Sequence, residues 1–175
     1  MPDVNVNVVE NTRTTPLFIA CSYGHVGVVK ALLGSKKIFI NKQRITKETP
    51  LFVACENGHI DIVKLLLRKP NIHIDLSNDD GETPLFAACK NGHTDIVELL
   101  LKTRRAFVNI VNFKRETPLF IACKNGHAAV VKLLLSCPKL LKNFRNGKKS
   151  PYDIAVKKRH YDVIRLLEEH CIFSS

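Results

Sequence analysis

Cysteine and histidine recur at fixed spacing along this sequence, and they are residue types that could bind a metal ion. Four cysteines each stand four residues before a histidine: Cys21, Cys55, Cys89 and Cys123. Ligands at this spacing share one face of a helix, but a glycine directly precedes each histidine and should end the helix there. The histidine then belongs to another element. We therefore predict buried thiols, structural histidine hydrogen bonds and no metal site.

The cysteine spacing also argues against disulfide bridges. The four cysteines lie 34 residues apart, and equivalent positions on stacked helices are separated by about 8–10 Å. A disulfide requires Cα atoms within about 7 Å of each other. Carboxylates such as Asp61 and Asp95 fall on solvated helix faces, and there is no glycine-rich phosphate loop. We predict no enzyme activity and no cofactor.

A repeated sequence motif forms the secondary-structure elements that must position these residues. It is clearest from Thr83 onward, as TPLFAACKNGHTDIVELLL, and it also begins at Thr15, Thr49, Thr117 and, in altered form, Ser150. A threonine side chain can accept from the amides of a first helical turn, and the following proline lacks an amide. Apolar residues at i, i+3 and i+4 then predict a buried stripe, and glycine ends this first helix. A second helix is predicted from the histidine to the leucine run.

The segment between each leucine run and the next Thr-Pro is about 15 residues long, which exceeds an ordinary helix connection. Apolar residues alternate there, as at Ile72, Ile74 and Leu76. A two-residue period is typical of extended chain. We therefore predict that each segment forms one arm of a projecting hairpin.

The pattern TPLxxAxxxGHxxxVxxLL resembles the ankyrin repeat, and its copies cover nearly the whole chain. The resemblance implies an all-α ankyrin-repeat solenoid of stacked antiparallel helix pairs with projecting β-hairpin fingers. It also implies a concave binding face made by the fingers and the first helices, and no enzymatic chemistry. We expect a single domain over 1–175: the trailing hairpin of a truncated repeat at 1–9, repeats at 10–43, 44–77, 78–111 and 112–144, and a capping repeat at 145–175.

Two features depart from the family pattern. The first histidine of the family signature is replaced by phenylalanine in four copies: Phe18, Phe52, Phe86 and Phe120. Aromatic packing should therefore replace a polar link between repeats. The usual finger-tip glycine remains only as Gly81, and the equivalent positions carry Arg13, Lys47, Arg115 and Lys148.

Charge is distributed unevenly over the repeats. The net charge is +11, and the block from Lys102 to Arg159 carries 15 Lys and Arg against two acidic residues. The third finger is acidic instead. A groove that changes from acidic to basic would orient an extended partner and accelerate its capture.

These considerations select a partner-binding set on the fingers and the ends of the first helices. The predicted residues are Tyr23, Ile45, Glu56, Asn57, Asp79, Asp80, Lys90, Asn91, Phe113, Lys114, Arg115, Lys124, Asn125, Lys148, Lys149 and Lys157. The leading hypothesis is a protein-interaction module, monomeric in this form, whose partner carries an acidic segment.

Two other functions remain open at this point. The basic block could bind nucleic acid or a phosphoinositide membrane surface, although the absence of Trp argues against a base-stacking platform. The array could also be the regulatory arm of a larger enzyme or channel. A bland alternative is that the finger residues pack on one another and the lysines only confer solubility.

Two further expectations concern modification and location. Asn41 and Asn109 occupy matching positions, and the resemblance implies that such an asparagine is a candidate for hydroxylation. No run reaches the roughly 18 apolar residues of a membrane span, and no basic-then-apolar leader is visible. We expect a soluble protein in a reducing, intracellular compartment, the cytoplasm or the nucleus.

Overall fold

The fold is a row of helix pairs. The structure is a computed structural model that describes residues 6–142, 146–147 and 149–172. Within these residues lie ten helices: α1 Pro16–Ser22, α2 Val26–Leu33, α3 Pro50–Glu56, α4 Ile60–Leu67, α5 Pro84–Asn91, α6 Thr94–Lys102, α7 Pro118–Asn125, α8 Ala128–Leu135, α9 Pro151–Lys158 and α10 Tyr161–Ile172. Each odd-numbered helix, here called a first helix, packs on the even-numbered second helix that follows it after a short turn. Each pair is therefore antiparallel, which confirms the all-α repeat solenoid.

Each first helix begins at Thr-Pro, as predicted. The threonine side chain accepts a hydrogen bond from the amide three residues later at 3.0–3.2 Å in four copies: Thr15, Thr49, Thr83 and Thr117. In the fifth copy Ser150 accepts from the Asp153 amide, and the Asp153 carboxylate accepts from the Ser150 amide. This reciprocal cap satisfies two free amides at the start of α9.

The core is a continuous layer shared by neighbouring pairs. In α5 every residue from Pro84 to Cys89 is buried, because this helix packs against α3 on one side and α7 on the other. The second helices are amphipathic and bury one face, which in α6 includes Ile96, Val97 and Leu100. Phe52 and Phe86 are fully enclosed. These two phenylalanines are therefore buried, as aromatic packing at this position requires.

The segments that were expected to form hairpin fingers contain tight turns, and no strand is present in the residues that the structure describes. Four finger turns, residues 10–14, 44–48, 78–82 and 112–116, share one hydrogen-bond pattern. In the third, the Asn78 amide donates to the Glu82 carbonyl and the Gly81 amide to the Asn78 carbonyl, both at 3.0 Å. We call the three central residues of each turn its tip: 11–13, 45–47, 79–81 and 113–115. The third tip residue has a positive φ, which is 75° at Gly81 and 58° at Arg115. Such a turn matches a hairpin loop, but the chain on either side is not paired as strands.

Side-chain hydrogen bonds replace strand pairing between the connecting loops. The Asn41 side chain donates to the Asn71 carbonyl at 2.7 Å and accepts from the His73 amide at 2.9 Å. Asn109 makes the same pair of bonds to Lys139 and Leu141 in the next repeat. In each case the asparagine side chain makes the hydrogen bonds that the backbone of a neighbouring strand would make. The predicted alternation of buried residues is therefore correct, but the predicted strands are absent among the described residues.

The fifth finger turn is one residue shorter than the others, which accounts for the final period of 33 residues. Asn146 and Lys149 exchange both backbone hydrogen bonds, at 2.9 and 3.1 Å. Gly147 in this turn has a φ of 61°. Lys148, which we aligned with the tip glycine, lies outside the described residues.

Candidate functional site

The tips of the finger turns form a row of exposed side chains held by backbone hydrogen bonds. The first tip position carries Ile45 in the second repeat and Phe113 in the fourth, which are 59% and 78% exposed. Each tip is bonded to the one before it. The three bonds run from the amides of Ile45, Asp79 and Phe113 to the carbonyls of Thr12, Thr46 and Asp80, at 2.9–3.1 Å.

Gly81 gives the Phe113 ring its position. A Cβ at Gly81 would lie 2.9 Å from Phe113 Cδ1, closer than a methyl group can approach. The third tip therefore keeps glycine because of its positive φ and because the aromatic ring of the next tip lies against it. Arg115 at the equivalent place of the fourth tip also has a positive φ, of 58°.

Ion pairs fix two of the predicted cations on the first helices. Lys90 Nζ lies 3.0 Å from both carboxylate oxygens of Glu82, and Lys124 Nζ lies 2.8 Å from Glu116 Oε1. The two carboxylates are only 8% exposed. These lysines therefore neutralise buried carboxylates of their own repeats, and they add less to the positive field of the groove than their number indicates.

Glu56 is the exception to this arrangement. It occupies the position of Lys90 and Lys124 in the second repeat, and it forms no ion pair with a described residue. Burial, and then the neighbouring carboxylate of Glu48, raise the pKa of Glu56 above its usual value. The second repeat thus presents a half-buried carboxylate where the next two repeats present ammonium groups.

The sequence motif Asn-Gly-His links consecutive repeats. Its asparagine and histidine side chains bond to one backbone carbonyl of the preceding repeat, and we call this link a joint. Asn91 Nδ2 and His93 Nε2 both bond to the Glu56 carbonyl, at 3.1 and 2.9 Å. A carbonyl oxygen only accepts, so His93 carries a proton on Nε2. Gly92 lies between them with a φ of 75°. The same carbonyl position accepts from Asn57 and His59, from Asn125 and His127, and from His160 alone at the last joint.

Three of the predicted partner-binding residues form hydrogen bonds within these joints. Asn57, Asn91 and Asn125 each donate to the preceding repeat, although all three remain exposed. Sequence reasoning expected a structural role for the histidines but did not recognise the role of the asparagines. The constant spacing of Asn-Gly-His was the available signal.

Other predicted residues are exposed but do not all lie together. Lys114, Arg115, Lys149 and Lys157 are exposed and form no ion pair with any residue that the structure describes. Asp79 pairs with Lys47 of the preceding finger at 3.0 Å, whereas Asp80 is exposed. Tyr23 stacks on His25 at the first helix pair, with ring centroids 6.1 Å apart.

The four cysteines that recur with the repeat have the buried, unbridged character that was predicted. Cys21, Cys55, Cys89 and Cys123 are free thiols enclosed in the core. Burial raises the pKa of Cys21 and of Cys123 to about 12, so both remain protonated at neutral pH. The described residues contain no group of three or more His, Cys, Asp or Glu that could hold a metal ion. None of the helices in that part of the chain combines the length and apolar composition needed to cross a membrane.

Repeated helix pairs, bonded finger turns and a recurring joint define a repeat protein whose distinctive side chains lie on an extended surface. The sequence matches the family described as "Ankyrin repeats (3 copies)" in four overlapping segments: 2–78, 36–112, 69–142 and 105–173. The chain belongs to the ankyrin-repeat family. No curated protein gives a significant match to it. Ankyrin repeats generally serve as protein-interaction modules and are typically non-enzymatic scaffolds.

Proposed function

We propose that the chain binds an extended segment of another protein along its concave face, meaning the surface of the finger tips and the exposed ends of the first helices. The first helices pack on one another more extensively than the second helices do. This difference is expected of a row that curves with its first helices on the inside. An extended segment needs a long shallow surface of this kind and no deep cavity.

The exposed apolar side chains at the finger tips carry this proposal. Ile45 and Phe113 occupy equivalent tip positions on a backbone that is hydrogen-bonded from one turn to the next. Large apolar side chains on a rigid backbone contribute strongly to binding, because little conformational entropy is lost when they are covered. In a chain that binds nothing on this face, both would remain in water.

Charge indicates the direction in which the partner lies. Asp80 is exposed on the third finger, and Lys114, Arg115 and Lys149 are exposed on the fourth and fifth. A partner segment with acidic residues facing the fourth and fifth repeats would meet cations that are not paired within the described chain. The exposed helix-end lysine Lys157 extends this basic region in the proposal.

Site-specific photocrosslinking tests this proposal. A photoreactive phenylalanine analogue is placed at Phe113 and, in a matched control, at Phe107, which is 66% exposed on a connecting loop. We expect a partner to be crosslinked from position 113 and not from 107. Equal crosslinking from both positions would reject the concave face as the binding surface.

A charge-reversal pair tests the basic end of the surface. Lys114→Glu with Arg115→Glu should weaken binding of the captured partner at least about tenfold, if two charge-assisted contacts are lost. Lys64→Glu with Lys132→Glu makes the same change on the second helices, where both lysines are exposed, and should leave affinity within about twofold. If affinity is unaffected by the finger-tip pair, the partner does not contact this end.

Hydroxylation of Asn41 and Asn109 remains a separate proposal. Both side-chain amides bond to a neighbouring loop through their oxygen and nitrogen. A modifying enzyme would therefore need the loop to open locally. Mass spectrometry of the protein isolated from cells should detect one added oxygen on the peptides that contain these residues, and unmodified peptides would reject the idea.

A further inference from the structure

A cationic recess lies between the third and fourth repeats, away from the finger tips. The C-terminal end of α6 and the loop after it form one wall, and the end of α8 with residues 136–139 forms the other. The cavity has a volume of about 550 Å³, within the range of small-molecule sites. A second recess of about 370 Å³ shares several of its lining residues, including Arg104 and Lys139. These two side chains thus border both recesses.

The backbone at Arg104 gives this loop a path that the previous repeat cannot take. Arg104 has a φ of 56°, and it follows a helix that is one residue longer than α4. The equivalent position in the second repeat is Pro70, whose ring holds φ near −65° and so forbids this conformation. The wall that Arg104 provides therefore cannot form in the same way in the second repeat.

Cations outnumber carboxylates around the two recesses. Among the described residues, Glu98 is the only acidic one that lines the larger recess, and Lys102 pairs with it at 2.6 Å. Arg105 donates to the Ile72 carbonyl at 2.8 Å. Arg104 and Lys139 form no ion pair and no side-chain hydrogen bond with the residues that the structure describes, and both are exposed. Arg104 and Lys139 are thus two cations without a carboxylate partner among the described residues, whereas the charge of Arg105 acts on the Asp75 carboxylate nearby.

We propose that this recess binds a compact ligand with several phosphate groups. Arginine forms paired hydrogen bonds to phosphate oxygens, and lysine adds a point charge. Because Arg104 and Lys139 border both recesses, two neighbouring phosphates can share them. The same chemistry occurs in a soluble inositol phosphate and in the headgroup of a phosphoinositide lipid. The site is independent of the proposed protein partner, since it uses none of the finger-tip residues.

Calorimetric titration with inositol hexakisphosphate at low salt tests the site. The double variant Arg104→Glu with Lys139→Glu should lower affinity at least about tenfold, because charge-assisted hydrogen bonds are replaced by repulsion. Lys30→Glu with Lys64→Glu serves as a matched control, since it makes the same change in net charge at exposed positions on α2 and α4. The control should stay within about twofold of wild type. Both pairs consist of exposed residues, so the variants are expected to fold.

Cys137 provides a second readout that does not depend on charge variants. It lines the larger recess and is partly exposed, whereas the core cysteines are enclosed. In a Cys171→Ser background, bound inositol hexakisphosphate should slow alkylation of Cys137 in the folded protein. Sedimentation with phosphatidylcholine vesicles, with and without phosphatidylinositol bisphosphate, then identifies the source of the ligand. Sedimentation that requires the phosphoinositide points to the lipid headgroup, and binding of the soluble phosphate alone points to a free ligand.

The outcomes separate a built site from general attraction to a basic protein. Loss of binding in the recess variant, retention in the control variant on α2 and α4, and protection of Cys137 support the proposal. It is overturned if wild-type protein does not bind at low salt, if both variants weaken binding equally, or if Cys137 reacts at the same rate with ligand present. A partner captured on the concave face has no bearing on these results.

Discussion

Replacing Gly92 by alanine should weaken one joint through two separable effects. The backbone there has a φ of 75°, and a left-handed conformation costs an L-residue about 1–2 kcal/mol. The new Cβ would also lie 2.7 Å from His127 Nδ1. The ring must move to relieve this contact, and its hydrogen bond to the Lys90 carbonyl is then lost at a cost of about 0.5–1.5 kcal/mol.

These terms sum to a loss of about 1.5–3.5 kcal/mol in the free energy of unfolding. Chemical unfolding followed by far-ultraviolet circular dichroism measures this loss directly. In thermal unfolding the same loss should lower Tm by about 3–14 °C for a chain of this length. Gly27→Ala is the matched control, because a Cβ there meets nothing within 4 Å and the residue lies in α2. It should be neutral or stabilising by up to about 1 kcal/mol.

A double-mutant cycle isolates the contact with the histidine. In a His127→Ala background the ring is absent, so Gly92→Ala should cost only the backbone term of about 1–2 kcal/mol. The cost of the glycine change must therefore fall when the ring is removed. An identical cost in both backgrounds would refute the view that the glycine is needed for close approach of the histidine.

Three further changes test packing and charge. Leu100→Ala should cost about 2–5 kcal/mol, because the side chain is fully enclosed and its removal leaves a cavity. Lys124→Ala should cost about 1 kcal/mol, because it removes the cation beside the buried carboxylate of Glu116. Its control is Lys64→Ala, which removes an exposed ion pair and should cost under about 0.5 kcal/mol. Glu56→Gln should stabilise the protein by under about 1 kcal/mol at neutral pH, because a half-exposed group is screened by solvent. Chemical unfolding measures all three, and for Glu56 it is repeated as a function of pH.

The sign of the Glu56 effect follows from its raised pKa. The folded state favours the protonated carboxyl more than the unfolded state does, so ionisation destabilises the fold as pH rises through and above the unfolded value of about 4.3. The advantage of glutamine should thus be absent in acid and grow toward neutral pH. An advantage that is constant with pH would contradict this reasoning. A cost well under 1 kcal/mol for Leu100→Ala would contradict the packing prediction. Equal costs for Lys124→Ala and Lys64→Ala would contradict the prediction for the buried ion pair.

The sequence predicted the helices well because each helix start and end depends on local chemistry. Thr83 and Pro84 begin α5, and Gly92 ends it, as expected of a cap and a left-handed terminus. The repeat period and the buried stripes are equally local in origin. The hairpin arms were less well predicted, since alternation of apolar residues reports burial and not the identity of the hydrogen-bonding partner. Asn41 shows that a side chain can be that partner.

The charge pattern was predicted in outline but not in its pairing. Lys90 and Lys124 were correctly expected at the ends of first helices, but the eight-residue spacing to Glu82 and Glu116 did not reveal the ion pairs. The spacing joins a finger turn to a helix end, which no helical periodicity describes. The recess at Arg104 was also missed, because it depends on a local change of backbone path between two loops.

The joint at Asn91 and His93 also bears on how such an array can be rearranged. At three joints, one backbone carbonyl accepts hydrogen bonds from an asparagine and a histidine of the next repeat. One repeat can therefore replace another at these joints without loss of the bonds. Deleting the 34 residues from Thr49 to Glu82 would bring these donors to the Ser22 carbonyl, which now accepts from the preceding copy. Recombination could therefore shorten or lengthen the row without breaking its connections. The side chains that differ between copies would be redistributed along the surface at the same time.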